Sequence, residues 1–289
     1  MAETVSYEVD SPAMMKVWRA RDHFFALEAS IAAWNNQREI IAPVRQSQED
    51  PQVLEVFHPE DDEPLWHWSC LLGDGVHNLR SALDVLAWQM CHLDGAEPAN
   101  PTKVYFPARR TSAGKKWSEQ AKPLASMPQD FLDRMEAVQG WSQSSHHVRG
   151  RALELVHELD LEDKHRSLLE MSPLPERLSL EEITPWPDGL NLATAFTRPW
   201  MRLTIGGTVL PEGLKPGVLK IRSQPLVTLK DSTTLVVPLQ RWLLVETFRV
   251  LTFVSSGELP TLEQEATVLL GREVPAAEPE WLPRRGTEH

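Results

Sequence analysis

Residues 73–88, GDGVHNLRSALDVLAW, set Asp74, His77, Asn78, Arg80, Ser81 and Asp84 within one short run, with Trp88 on the same side. At about 100° per residue, Asp74, His77, Asn78, Ser81 and Asp84 share one arc of a helix and Arg80 sits at its margin. Leu72, Val76, Leu79, Leu83, Leu86 and Met90 lie opposite. A second run, VHELDLEDKHRSLLE at 156–170, puts His157, Asp160, Lys164 and Ser167 on one stripe with Asp163 beside it. Glu158, Glu162 and His165 form another stripe. Imidazoles titrate near neutrality, carboxylates orient them, and cations hold anionic substrates. The ordinary alternative is a wet helix face. Such faces favour Glu, Lys and Gln, whereas Asp, His, Asn and Ser are poor helix formers that hydrogen-bond at short range. Val85 and Trp88 within the arc predict that its far end is covered.

Three chemistries could use these residues. Metal-free cleavage of an RNA phosphodiester needs a base for the 2′-hydroxyl, a proton donor for the leaving oxygen and a cation for the phosphate. His77 or His165 would be the acid–base group, and Asp84 or Asp163 would orient an imidazole. Asn78, Arg80, Lys164 and Arg166 would hold substrate, with Asp74, Asp160 and Trp88 in structural or orienting roles. The second chemistry is a two-metal carboxylate site. Glu162-x-x-His165 has the i,i+3 spacing of bundle di-iron proteins, Asp74-x-x-His77 is a shorter version, and Glu28 could add a carboxylate. That arrangement needs about four carboxylates and two His from four helices. No cofactor is favoured, and a divalent metal belongs to this second reading alone. The third is nucleophilic catalysis, for which the sequence offers no nucleophile elbow and no Cys beside a His–Asx pair. Walker, dinucleotide-binding and zinc-finger patterns are missing, and Gly206-Gly207 reads as a hairpin turn. A fourth reading is not enzymatic: the polar motifs would lock helices together in an interaction protein.

Bulk properties bound these options. The 289 residues, 42% hydrophobic, suffice for one large core or two modest ones. A net charge of −12 gives no global attraction to nucleic acid or anionic membrane, so any RNA contact must be a local patch. A protein partner or a second copy of the chain is an alternative to RNA, and no membrane association is expected. Cys70 and Cys91, on one helix, would stand about 30 Å apart and could not pair. With no basic region followed by an apolar run at the start, a cytoplasmic setting is expected. Eleven Trp stand against two Tyr, and core filling is the expected use of most.

The elements that must position the motifs are mainly helical. Ser11-Pro12 opens a helix over 12–42, and the region 45–64 reads as loop with one short strand or turn. A second helix spans 65–93, a Pro-rich connection 94–127, a short helix 128–140, and a third long helix 150–171. Short β-like runs follow, and PLQRWLLVETFRVLTFVSSG closes as a helix over 237–257. The expectation is α+β overall: a bundle over 1–172, a small β-rich insertion over 173–236 before the last helix, and a mostly disordered tail over 258–289.

GDGVHNLRSALDVLAW, then YFP, then LDLEDKHRSLL together resemble a bacterial family of uncharacterised proteins with the pattern GDxxHNLRSALDxL…FP…LDxxDKHR. The matching positions are Asp74, His77, Asn78, Arg80, Asp84, Asp160, Asp163, Lys164, His165 and Arg166. Glu162 falls on no motif position. More distantly, the paired helices are similar to HEPN domains, helical RNases and RNA-binding modules of toxin and phage-defence systems. That resemblance implies a HEPN-like bundle and RNA cleavage or binding. The usual HEPN signature, Arg followed four to six residues later by His, is met by Arg151 and His157, which lie outside the matched motif.

Overall fold

The computed structural model describes residues 11–37, 40–46, 53–57, 64–108, 117–140, 147–165, 169, 171–181, 192–197, 200–205, 218–228, 234–236 and 239–270. The described chain is mainly helical, with seven α-helices: α1 (Pro12–Gln37), α2 (Leu65–Cys91), α3 (Trp117–Gln120), α4 (Gln129–Ala137), α5 (His147–His165), α6 (Leu239–Ser256) and α7 (Leu262–Leu270). No helix among the described residues is long and apolar enough to cross a membrane.

Local chemistry explains most boundaries. The Met14 N–H donates to Ser11 Oγ at 3.3 Å, so Ser11 caps α1 with Pro12 at the first helical position. Helix α1 stops at Gln37, short of the expected 42. Asn35 and Asn36 are poor helix formers, and Ile40-Ile41-Ala42-Pro43 enters a strand instead. Helix α5 likewise ends at His165, before the expected 171. Gly257, with φ of 82°, terminates α6, and its N–H donates to the Phe253 carbonyl at 2.8 Å. Helix α7 lies within the segment 258–289 that was expected to be mostly disordered. A reciprocal cap starts it: the Gln264 N–H donates to Thr261 Oγ1 at 3.3 Å, and the Thr261 N–H to Gln264 Oε1 at 2.8 Å. Residues 271–289, also assigned to that tail, lie outside the described residues.

The chain divides into two units. The first takes Met1–Arg21, Ala82–Leu153 and Leu243–His289. Val17, Leu83, Leu86, Phe106, Met135, Leu244 and Leu251 are buried there, each burial worth about 1.5–3 kcal/mol. Asp84 Oδ1 accepts the Phe106 N–H at 2.8 Å, fixing the segment after α2 to that helix. Arg249 of α6 forks onto Glu265 of α7 at 2.6 and 2.7 Å and reaches Glu246 at 2.6 Å.

The second unit takes Asp22–Ser81 and Glu154–Trp242. Phe24, Leu27, Trp68, Leu72, Val76, Leu79, Val156 and Leu159 are buried in it. Trp68 donates its indole N–H to Ser30 Oγ at 3.0 Å and meets Trp34 edge-on at 6.4 Å, which bears out core filling for this Trp. Among the described residues this unit has seven strands: β1 (Ile40–Gln46), β2 (Val53–Phe57), β3 (Met171–Glu181), β4 (Leu192–Thr197), β5 (Trp200–Ile205), β6 (Val218–Thr228) and β7 (Thr234–Val236). They pair antiparallel in the order β3-β6-β1-β2-β5-β4, with β7 also on β6. Two of these strands lie between α1 and α2, where the sequence suggested a loop with one strand or turn, so the paired segments are not confined to 173–236. Pro173 and Pro175 fall on β3, at one end of the strand order, with a register shift after Pro175.

Candidate functional site

The two polar runs meet in the second unit, through the first part of α2 and the last part of α5. Asp160 is the hub. Its side chain is 5% exposed, and a buried carboxylate needs partners to offset its lost hydration. It has two. Oδ1 accepts from His77 Nδ1 at 2.9 Å, and Oδ2 accepts from Lys164 Nζ at 2.9 Å, one turn along α5. An ionised carboxylate can only accept, so the Nδ1 that faces it carries the proton and Nε2 is left as the basic nitrogen. Ser81 Oγ stands 3.5 Å from Nε2, a long contact. The His77 and Lys164 side chains are 44% and 41% exposed. A buried acceptor therefore holds two half-exposed donors.

Asp163, half-buried, lies beside this hub. A Cβ built on Gly73 would fall 2.3 Å from Asp163 Oδ1 and 2.7 Å from its Cγ. The carboxyl thus rests against the α2 backbone in a space that any side chain would fill. Gly75 plays a packing role in the same turn, since a Cβ there would fall 2.2 Å from the ring of buried Phe24. Two glycines inside a helix each cost about 1 kcal/mol against Ala, and these contacts are what they allow. Burial raises the Asp163 carboxyl above the ordinary aspartate range, and the charges of Asp74 and Asp160 add to this, against His77 and Lys164. Asp74 is exposed, with His23 Nδ1 at 4.0 Å, and its backbone carbonyl accepts Asn78 Nδ2 at 2.8 Å.

Several expected roles change. Asp160, expected in a structural or orienting role, is the carboxylate bonded to His77 Nδ1, where Asp84 or Asp163 was expected. Asp84 is engaged with Phe106, in the first unit, and this bond joins the ALD and YFP parts of the motif. Arg80, expected to hold phosphate, is 5% exposed, because its position at the margin of the arc falls on the packed side of α2. Asn78 turns back onto its own helix. Trp88 is 43% exposed and stacks near His92 at 4.2 Å, so the far end of the arc is not covered as expected. Arg166 and the His165 side chain lie outside the described residues. Glu28, the extra carboxylate of the metal reading, accepts from Gln240 at 2.8 Å and from Arg241 Nε at 2.7 Å. Among the described residues no three His, Cys, Asp or Glu side chains converge as a ligand set. Arg151 is exposed and His157 half-buried, both on α5.

Sequence reasoning missed Gly73 and His23. The signal for Gly73 was present, since two glycines flanking Asp74 inside a helical period call for a packing reason. Comparison with family models, curated proteins and solved structures gave no match.

Proposed function

We propose that this protein is a metal-independent, RNA-cleaving or RNA-binding protein of HEPN-like type, with His77 as its acid–base group. The observation that carries the reading is the 2.9 Å bond from His77 Nδ1 to buried Asp160 on a half-exposed imidazole. It fixes the tautomer and leaves a base at the surface, the arrangement that abstraction of a 2′-hydroxyl proton requires. Lys164, exposed and on the same carboxylate, is the group that would take a phosphate oxygen. The reading includes a HEPN-like helical bundle with a β-rich insertion before the closing helix, a cytoplasmic setting, and a toxin or phage-defence role. It also makes the contact with RNA local, given the net charge of −12.

A second reading is favoured by the burial of Asp160 and Arg80. Here the cluster is a polar lock between helices in an interaction protein: Oδ1 of Asp160 ties His77 of α2 to α5, and Oδ2 binds Lys164 of its own helix. Titration of short single-stranded RNA at several salt concentrations, with cleavage followed with and without EDTA, separates the readings. Binding that weakens with salt, and a slope that flattens by about 0.7 in Lys164→Gln, support the RNA reading. Cleavage abolished by EDTA would move the assignment to a divalent metal. No binding at low salt would leave the lock.

A further inference from the structure

We propose that Asp163 is the proton donor of this site, paired with His77 as the base. The inference rests on the RNA reading and assigns its missing acid. Gly73 and His77 are i,i+4 neighbours on α2, so they lie on one stripe a turn apart. The Asp163 carboxyl is seated on the Gly73 backbone, which sets it on the stripe that carries the imidazole. The groups facing it are Asp74 and His77 from α2 and Asp160 and Lys164 from its own helix. On α1, His23 faces Asp74. Asp160 and Asp163 thus do different work three residues apart. Asp160 accepts a hydrogen bond on each oxygen, from His77 and from Lys164. Asp163 is desolvated by burial and crowded by the carboxylates of Asp74 and Asp160, conditions that raise its carboxyl above the ordinary aspartate range and favour the protonated form.

In the reaction this implies, His77 Nε2 takes the proton of the 2′-hydroxyl. The 2′-oxygen forms a bond to phosphorus, and the bond from phosphorus to the 5′-oxygen breaks. Asp163 gives its proton to that leaving oxygen. The products are a 2′,3′-cyclic phosphate and a 5′-hydroxyl, with imidazolium and carboxylate left on the protein. Solvent returns the proton from His77 to Asp163.

The test compares two substrates that differ in leaving group: short single-stranded RNA of mixed sequence, and the 4-nitrophenyl ester of uridine 3′-phosphate. Nitrophenolate departs without a proton, so it does not need the acid. Asp163→Asn is expected to slow RNA cleavage by about 100-fold or more and ester cleavage by less than about threefold. It should also remove the alkaline limb of the pH–rate profile on RNA. Asp163→Ala serves as the second variant, and melting curves establish that each is folded. Equal losses on both substrates would make Asp163 a structural residue and overturn the assignment. Unchanged rates on both would overturn it while leaving the RNA reading in place. A wild-type protein that cleaves neither substrate would overturn both this assignment and the cleavage part of the RNA reading.

Discussion

Replacing Gly73 with Ala tests whether the seat of Asp163 matters. The new Cβ would stand 2.3 Å from Oδ1, 2.7 Å from Cγ and 2.9 Å from Oδ2 of Asp163. Relaxed carbon contacts lie near 3.5 Å, so the carboxyl must retreat by about 1 Å. It can do so, because it ends a half-buried, flexible side chain. Ala also gains about 1 kcal/mol over Gly inside a helix. Stability is therefore expected to stay within about 1 kcal/mol of wild type, roughly 2–4 °C in melting temperature. Activity should fall by about 100-fold, the usual consequence of moving a reacting group by about 1 Å. Gly75→Ala is the contrast. There the Cβ would stand 2.2 Å from Phe24, a buried ring with nowhere to move, and overpacking of this kind costs about 1–3 kcal/mol. The assay is a melting curve and an RNA cleavage rate for each variant. Full activity in Gly73→Ala, or a melting loss equal to that of Gly75→Ala, would refute the reasoning.

Asp163→Asn should also carry a pH signature in stability. The folded state raises the Asp163 pKa, so the wild-type protein has its full share of stability below the unfolded value of about 3.9 and loses it as pH rises through the folded value. The variant lacks this loss, so its melting temperature should gain on wild type between acid and neutral pH; a constant difference would contradict it. Asp84→Ala removes the acceptor of the Phe106 N–H and should cost about 1–3 kcal/mol in chemical denaturation. A cost below about 0.5 kcal/mol would show that the bond fixes nothing. Thr261→Ala should cost about 1 kcal/mol, with faster amide exchange across α7, because it removes half of the reciprocal cap.

The helices were legible because their signals are local. Ser11-Pro12, the leucine period of α2 and the closing glycine of α6 each state a boundary within a few residues. The meeting of His77 with the 156–170 run could be expected because both stretches place short polar side chains where an ordinary wet face would carry long ones. Which carboxylate would meet the imidazole was not legible. Asp84, Asp160 and Asp163 share a residue type, and the choice depends on how α5 packs on the first turns of α2, a long-range matter. Arg80 was misplaced for a geometric reason. A residue at the margin of an arc can turn to either side, and the neighbouring element decides. Strands β1 and β2 pair with each other, and were obscured because residues 40–42 read as the end of the first helix and their outer partners β6 and β5 lie more than a hundred residues away. Helix α7 could have been found, since Thr261-Leu-Glu-Gln264 ahead of an apolar run is a capping-box pattern.

The most direct test of an acid–base site is the cleavage of short single-stranded RNA in EDTA by wild type and His77→Ala, with product ends and melting temperature measured on the same preparations. The expected result is wild-type cleavage to 2′,3′-cyclic phosphate ends, a rate lower by about 10²–10⁴-fold in the variant, and melting temperatures within a few degrees. No cleavage by wild type, or a variant whose loss of activity follows a collapse of about 1–3 kcal/mol in stability, would contradict it and assign the cluster to holding the helices together.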